Sequence, residues 1–147
     1  MKGLTALLLL YIVLAEGPIT QQLEDIKDND EVTIPRGVRV RIEQVEDSSV
    51  SEVWVVGRLP TDKIIVEEGR YGDREKRKDL PGKPWVQHFT FLCGHCRPGE
   101  VIDVEFWLIN PYYAEQYFND RNSYIEQHGK EPVQKVVHFK VIRREQI

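Results

Sequence analysis

The chain has 147 residues, 30% of them charged, two cysteines and a formal charge of −4, which fits one ordinary domain able to bury its own core. The acidic balance argues against an electrostatic grip on nucleic acid, and losing Lys2 with a cleaved leader would take −4 to −5. The one basic run, Arg70 to Lys78, is interleaved with acids among turn residues and reads as a solvated loop.

The first segment differs in character from the rest. Met1 and Lys2 make a short basic start, and Leu4 to Leu14 form an apolar run broken only by Thr5 and Tyr11. That is a secretory leader in length and flanks, too short to cross a membrane comfortably, with small residues at Val13 and Ala15 that place the cut after Ala15. The expected location is therefore outside the cell or in a lysosome-like compartment, with no membrane anchor. Residues 16–30 are acidic and polar and read as a flexible lead-in or short helix, leaving 31–147 as the domain.

Beyond the lead-in the dominant period is two. Val32 to Ile34 open the pattern, and Val38, Val40 and Ile42 alternate with Arg39, Arg41 and Glu43, as in a half-buried strand. Val53 to Val56, Ile64 to Val66 and Trp85 to Leu92 follow, each bounded by Gly, Pro, Asp or Ser. Ile102, Val104, Phe106 and Leu108 face away from Asp103 and Glu105, and Val137, Phe139 and Val141 close the series. About seven short strands without alternating helices predict an all-β, immunoglobulin-like antiparallel sandwich. One segment breaks the pattern: Ala114 to Gln127 carries Tyr117, Phe118, Tyr124 and Ile125 at helical spacings, with Gly129 placed to end a short helix before the last strand.

Few residues carry chemistry. Cys93-Gly94-His95-Cys96 has the spacing of a thiol-exchange motif, but it follows a strand and runs into Arg97-Pro98-Gly99, so no helix N-terminus is there to lower a thiol pKa. In an oxidising compartment the pair reads as a small disulfide. A zinc site with His95 lacks a fourth ligand, so no metal and no cofactor is expected. His88, His128 and His138 show no ligand spacing, and neighbouring acids such as Glu67 and Glu68, or Asp28 and Asp30, supply no converging acid and base. Catalysis is thus the minor reading. Aromatic residues at a loop offer more: Asn110-Pro111-Tyr112-Tyr113 ends a strand, and tyrosine presents a large rigid surface with few rotors to freeze. Tyr113, Tyr117 and Phe118 read equally well as packing for the inserted helix.

The order of strands and loops resembles the chagasin family, inhibitors of papain-like cysteine peptidases. The landmarks are Val38 to Ile42, Trp54-Val55-Val56, Leu59-Pro60, Phe89-Thr90-Phe91, Pro98-Gly99-Glu100 and Val137 to Val141. The resemblance implies an enzymatically inactive monomer whose three loops enter a peptidase cleft without covalent chemistry. The first loop falls at Asp47, Ser48, Ser49, Val50 and Ser51, where the family's Asn-Pro-Thr-Thr-Gly has lost its proline and glycine. The second falls at Lys78 to Pro84, with Leu80, Pro81, Gly82 and Lys83 at its tip. The third, Arg-Pro-Trp in the family, aligns with Asn110, Pro111 and Tyr112, followed by Tyr113. The departures leave a second reading open, a non-inhibitory receptor or carrier on the same sandwich, and a third, thiol exchange at Cys93 and Cys96.

Overall fold

The computed structural model describes residues 19–46, 51–71 and 85–144. The leader expected at 1–15 lies outside them. The described residues form eight strands in two four-stranded sheets. Strands β1 (Ile19–Gln22), β3 (Val40–Glu46), β6 (Trp85–Cys93) and β5 (Ile64–Tyr71) make one sheet, in the order β1-β3-β6-β5. Strands β2 (Glu31–Pro35), β8 (Val133–Ile142), β7 (Val101–Ile109) and β4 (Val53–Arg58) make the other, in the order β2-β8-β7-β4.

The period-two pattern does what alternation dictates. Val40 and Ile42 on β3, Phe89 and Phe91 on β6, Val104 and Phe106 on β7, and Val137, Phe139 and Val141 on β8 are all fully buried between the sheets. Phe89 meets Phe106 edge-on at 5.5 Å, and Phe91 lies 4.9 Å from Phe139, so the two inner faces interdigitate through their aromatic rings.

Three features differ from the sequence expectation. Residues 19–26, expected as a flexible lead-in or short helix, form strand β1, which pairs with β3, and then a 3-10 helix at Leu23–Asp25; Leu23 and Ile26 enter the core, so the described residues hold eight strands where about seven were expected. Short strands alone do not reveal a pairing partner, and the acids of this segment simply occupy its outer positions. The pairings of β1 with β3 and of β2 with β8 are parallel, whereas the remaining ladders are antiparallel.

The third difference concerns the insertion. It comprises a 3-10 turn at Pro111–Tyr113, helix α1 (Ala114–Asn119) and helix α2 (Arg121–His128) in place of a single helix. Asp120 divides them, its carboxylate accepting from the Ser123 amide at 3.0 Å as the cap of α2. Gly129 ends α2 at φ 78, a left-handed conformation that glycine adopts without Cβ strain. The helices lie on the outer face of β7, where Trp107 and Ile109 form a second buried cluster with Tyr117 and Tyr124. Trp107-Leu108-Ile109 breaks alternation because both faces of that strand end are covered.

Gly57 interrupts β4 at an irregularity in the β4–β7 register. A Cβ there would lie 2.2 Å from the Trp107 ring, so the missing side chain is what lets the indole lie flat over the strand.

Candidate functional site

Pairing register brings three chain segments to one end of the sandwich. Glu46, at the end of β3, pairs with Trp85 at the start of β6, and Tyr71, at the end of β5, pairs with Val86. In the second sheet Val53, at the start of β4, pairs with Ile109 at the end of β7. The strand ends flanking 47–52, 72–84 and 110–132 therefore share a pole. Of the expected binding residues, Asp47, Ser48, Ser49 and Val50 in the first segment and Leu80, Pro81, Gly82 and Lys83 in the second lie outside the described residues; Ser51 is an exposed bend.

The third segment is fully described. Asn110 accepts from the Tyr112 amide through Oδ1 at 3.0 Å, and its carbonyl accepts from the Tyr113 amide at 2.9 Å. Pro111 presets the turn between them, so the backbone is fixed by local chemistry. Tyr112 stands out from this turn 84% exposed. Behind it the rings run in series: Tyr112 edge-on to Tyr113 at 5.0 Å, Tyr113 to His128 at 4.5 Å, His128 stacked on Tyr124 at 4.2 Å, Tyr124 to Tyr117 at 5.2 Å, and Tyr117 edge-on to Trp107 at 4.7 Å. Of the aromatic residues left between surface and packing, Tyr117 is buried and Tyr113 half-buried, whereas Phe118 is 51% exposed with the Arg58 guanidinium 4.9 Å above its ring.

The first segment is anchored from beneath by residues that the sequence reading did not single out. Gln44 is buried in β3, on the face that carries Val40 and Ile42. Its Nε2 donates to the Trp54 carbonyl at 2.5 Å and to Gln87 Oε1 at 2.8 Å, and its Oε1 accepts from the Trp54 amide at 3.1 Å. One carboxamide thus satisfies both backbone groups of a residue in the opposite sheet. Lys135 adds to this polar layer: its ammonium lies 4.8 Å from the Trp54 ring and donates to the Leu23 carbonyl at 3.1 Å. Burial lowers the Lys135 pKa, against the opposing pull of Asp28 and Asp30. The signal was legible, since Gln44, Gln87 and Lys135 sit at positions where alternation calls for an apolar side chain.

At the opposite end, Cys93 and Cys96 are joined in a disulfide and both buried. The segment runs into a turn in which the Arg97 amide donates to the Glu100 carboxylate at 3.0 Å and Gly99 takes φ 89. Among the described residues no group of three or more His, Cys, Asp or Glu is arranged to hold a metal ion, and no helix is long and apolar enough to cross a membrane.

Comparison with solved structures decides the fold. The cysteine protease inhibitor EhICP2 from Entamoeba histolytica superposes with a TM-score of 0.55 at 12% identity, covering 85% of this chain and 95% of that one. This chain has the chagasin-like fold. Amebosin, solved in solution, matches its sandwich with a TM-score of 0.53 at 12% identity over 84% of this chain and 97% of its own. PbICP-C, solved in complex with falcipain-2, matches with a TM-score of 0.53 at 11% identity over 84% of this chain and 98% of its own. No family model and no curated protein sequence matches this chain, so the likeness lives in architecture.

Proposed function

We propose that this chain is a secreted, non-covalent inhibitor of papain-like cysteine peptidases that inserts the pole carrying 47–51, 80–83 and 110–113 into the active-site cleft. The observation that carries the reading is the register that gathers the bases of these three segments at one end, with Tyr112 held outward on a fixed turn beside them. The fold supports it, because EhICP2 is a cysteine protease inhibitor and PbICP-C was solved in complex with falcipain-2. Inhibition by this route is occlusion: nothing is bonded or cleaved, and the strength comes from shape and buried area.

Small hydroxyl side chains at Ser48 and Ser49 suit the narrowest part of a cleft, and Tyr112 supplies a rigid flat face for its wall. The altered motifs weaken the interface relative to an optimised one. Two lost anchors at about 2 kcal/mol each convert a nanomolar inhibitor into a micromolar one.

The test is a titration of papain with the chain from Glu16 to Ile147, following cleavage of a peptide substrate. Dose-dependent, substrate-competitive loss of activity is expected. Unchanged cleavage at high micromolar inhibitor would overturn the proposal as a general peptidase inhibitor.

A further inference from the structure

The Asn110 cap and Pro111 fix the backbone of the third segment, yet neither restrains the side-chain torsions of Tyr112, whose ring is 84% exposed. An exposed side chain that is free to turn loses that freedom on binding, at a cost in affinity. Here the ring has a neighbour. Tyr112 meets Tyr113 at 5.0 Å with the two planes at 90°, the edge-to-face geometry that aromatic quadrupoles favour.

Tyr113 is half-buried and is itself held by a residue from another element. His128, the last residue of α2, lies edge-on to Tyr113 at 4.5 Å and stacks on Tyr124 at 4.2 Å with 30° between the planes. Tyr124 is 7% exposed and belongs to the second buried cluster. His128 Nε2 is buried with no hydrogen-bond partner among the described residues, so what the ring offers at that edge is its flat surface rather than a polar bond.

The place of His128 is fixed in turn by its helix. The Gly129 amide donates to the Ile125 carbonyl at 2.7 Å where α2 ends. Gln116 ties α1 to α2, its Nε2 donating to Ser123 Oγ at 3.2 Å and to Gln127 Oε1 at 2.9 Å. The same helix adjoins the first segment: burial, and after it the charge of Glu52, raises the Tyr124 pKa, and Glu52 directly precedes β4.

We propose that His128 is a positioning residue for Tyr112: it wedges Tyr113 against the buried cluster, so that the helical insertion braces the exposed ring in its binding pose before any peptidase arrives. The inference rests on the inhibitor reading of this pole. Losing the brace weakens inhibition without removing any atom that touches the peptidase, because the ordering of Tyr112 is then left to the binding step.

Two readouts keep the brace distinct from the inhibitor reading. In the free mature chain with isotope-labelled tyrosines, the inter-ring NOE between Tyr112 and Tyr113 is expected in the parent, lost in H128A and restored in H128F, which keeps a flat ring and drops the stranded nitrogen. In papain titration H128A is expected to weaken inhibition about fivefold, and H128F to stay within about twofold of the parent. Once Tyr112 is alanine, H128A is expected to have no further effect. A merely structural role gives the same loss with or without the Tyr112 ring, and that result overturns the brace. So does an NOE that is absent from the parent or persists in H128A. Should H128A melt α2, H128F decides: loss of the NOE there overturns the proposal, and its survival upholds it. If papain is not inhibited by the parent at all, the inhibitor reading falls, while the NOE series still decides whether His128 holds Tyr112.

Discussion

Replacing Gln44 with leucine keeps side-chain volume but strips the contact between the two sheets at the loop-bearing pole. Three hydrogen bonds disappear: two to the backbone of Trp54 and one to Gln87. The Trp54 groups are half-buried and recover part of their loss through water, whereas Gln87 is 7% exposed and has far less access to it. At about 1 kcal/mol net per bond, Q44L is expected to cost about 3 kcal/mol. For a domain of this length that lowers Tm by about 10 °C. Urea unfolding and calorimetry measure the loss directly. A double variant sharpens the reasoning: Q44L/Q87L removes the stranded partner as well, so it is expected to be less destabilised than the sum of the two single changes. Inhibition read well below Tm is expected to weaken through faster dissociation, because the base of 47–52 is no longer held by Trp54. A Q44L protein within 0.5 kcal/mol of the parent, with a strictly additive double variant, would refute the account of the polar layer.

Tyr112→Ala is expected to leave unfolding unchanged within about 0.5 kcal/mol, since the ring is mostly in solvent, and to weaken papain inhibition about 30-fold, as read by progress-curve kinetics. Gly57→Ala drives a methyl into the Trp107 ring and is expected to destabilise by about 3 kcal/mol in urea unfolding, with a shift in tryptophan fluorescence. Burial raises the phenol pKa values of Tyr117 and Tyr124 above 10.0. A folded pKa above the unfolded one contributes stability that is complete below pH 10 and is lost as pH rises through the folded value. Absorbance titration near 295 nm is expected to show these two phenols ionising above 10.0, and Y117F/Y124F is expected to flatten the alkaline decline in stability.

Much of the sandwich was legible because its signal is local. Strands β3, β7 and β8 each carry a run of alternating apolar residues whose inward members are the ones buried. Strand β1 was not legible: four residues, Ile19 to Gln22, carry no alternating apolar run, and their place depends on the edge of β3. The two-helix form of the insertion was hidden in the same way, since Asp120 divides it through a cap made only once the chain turns. At the third loop Asn110-Pro111-Tyr112 announced both its turn and its exposed ring, because the cap, the fixed φ and the aromatic are all written within three residues. Gln44, Gln87 and Lys135 were visible only as exceptions to a pattern. Their partners lie on other strands, which no periodicity reveals.

The separation of Trp107, Ile109, Tyr117 and Tyr124 from the main core also divides cohesion within the molecule. The sandwich closes over its own phenylalanines without help from the helices, so residues 114–128 are expected to open as a unit while the sheets stay shut. Amide exchange in α1 and α2 is then expected to report a lower free energy than exchange in β6 and β7. Sequence drift on the outer surface of those helices is correspondingly cheap for the fold, and a scaffold of this kind is free to remodel the flank of its contact surface while the sheets beneath it persist.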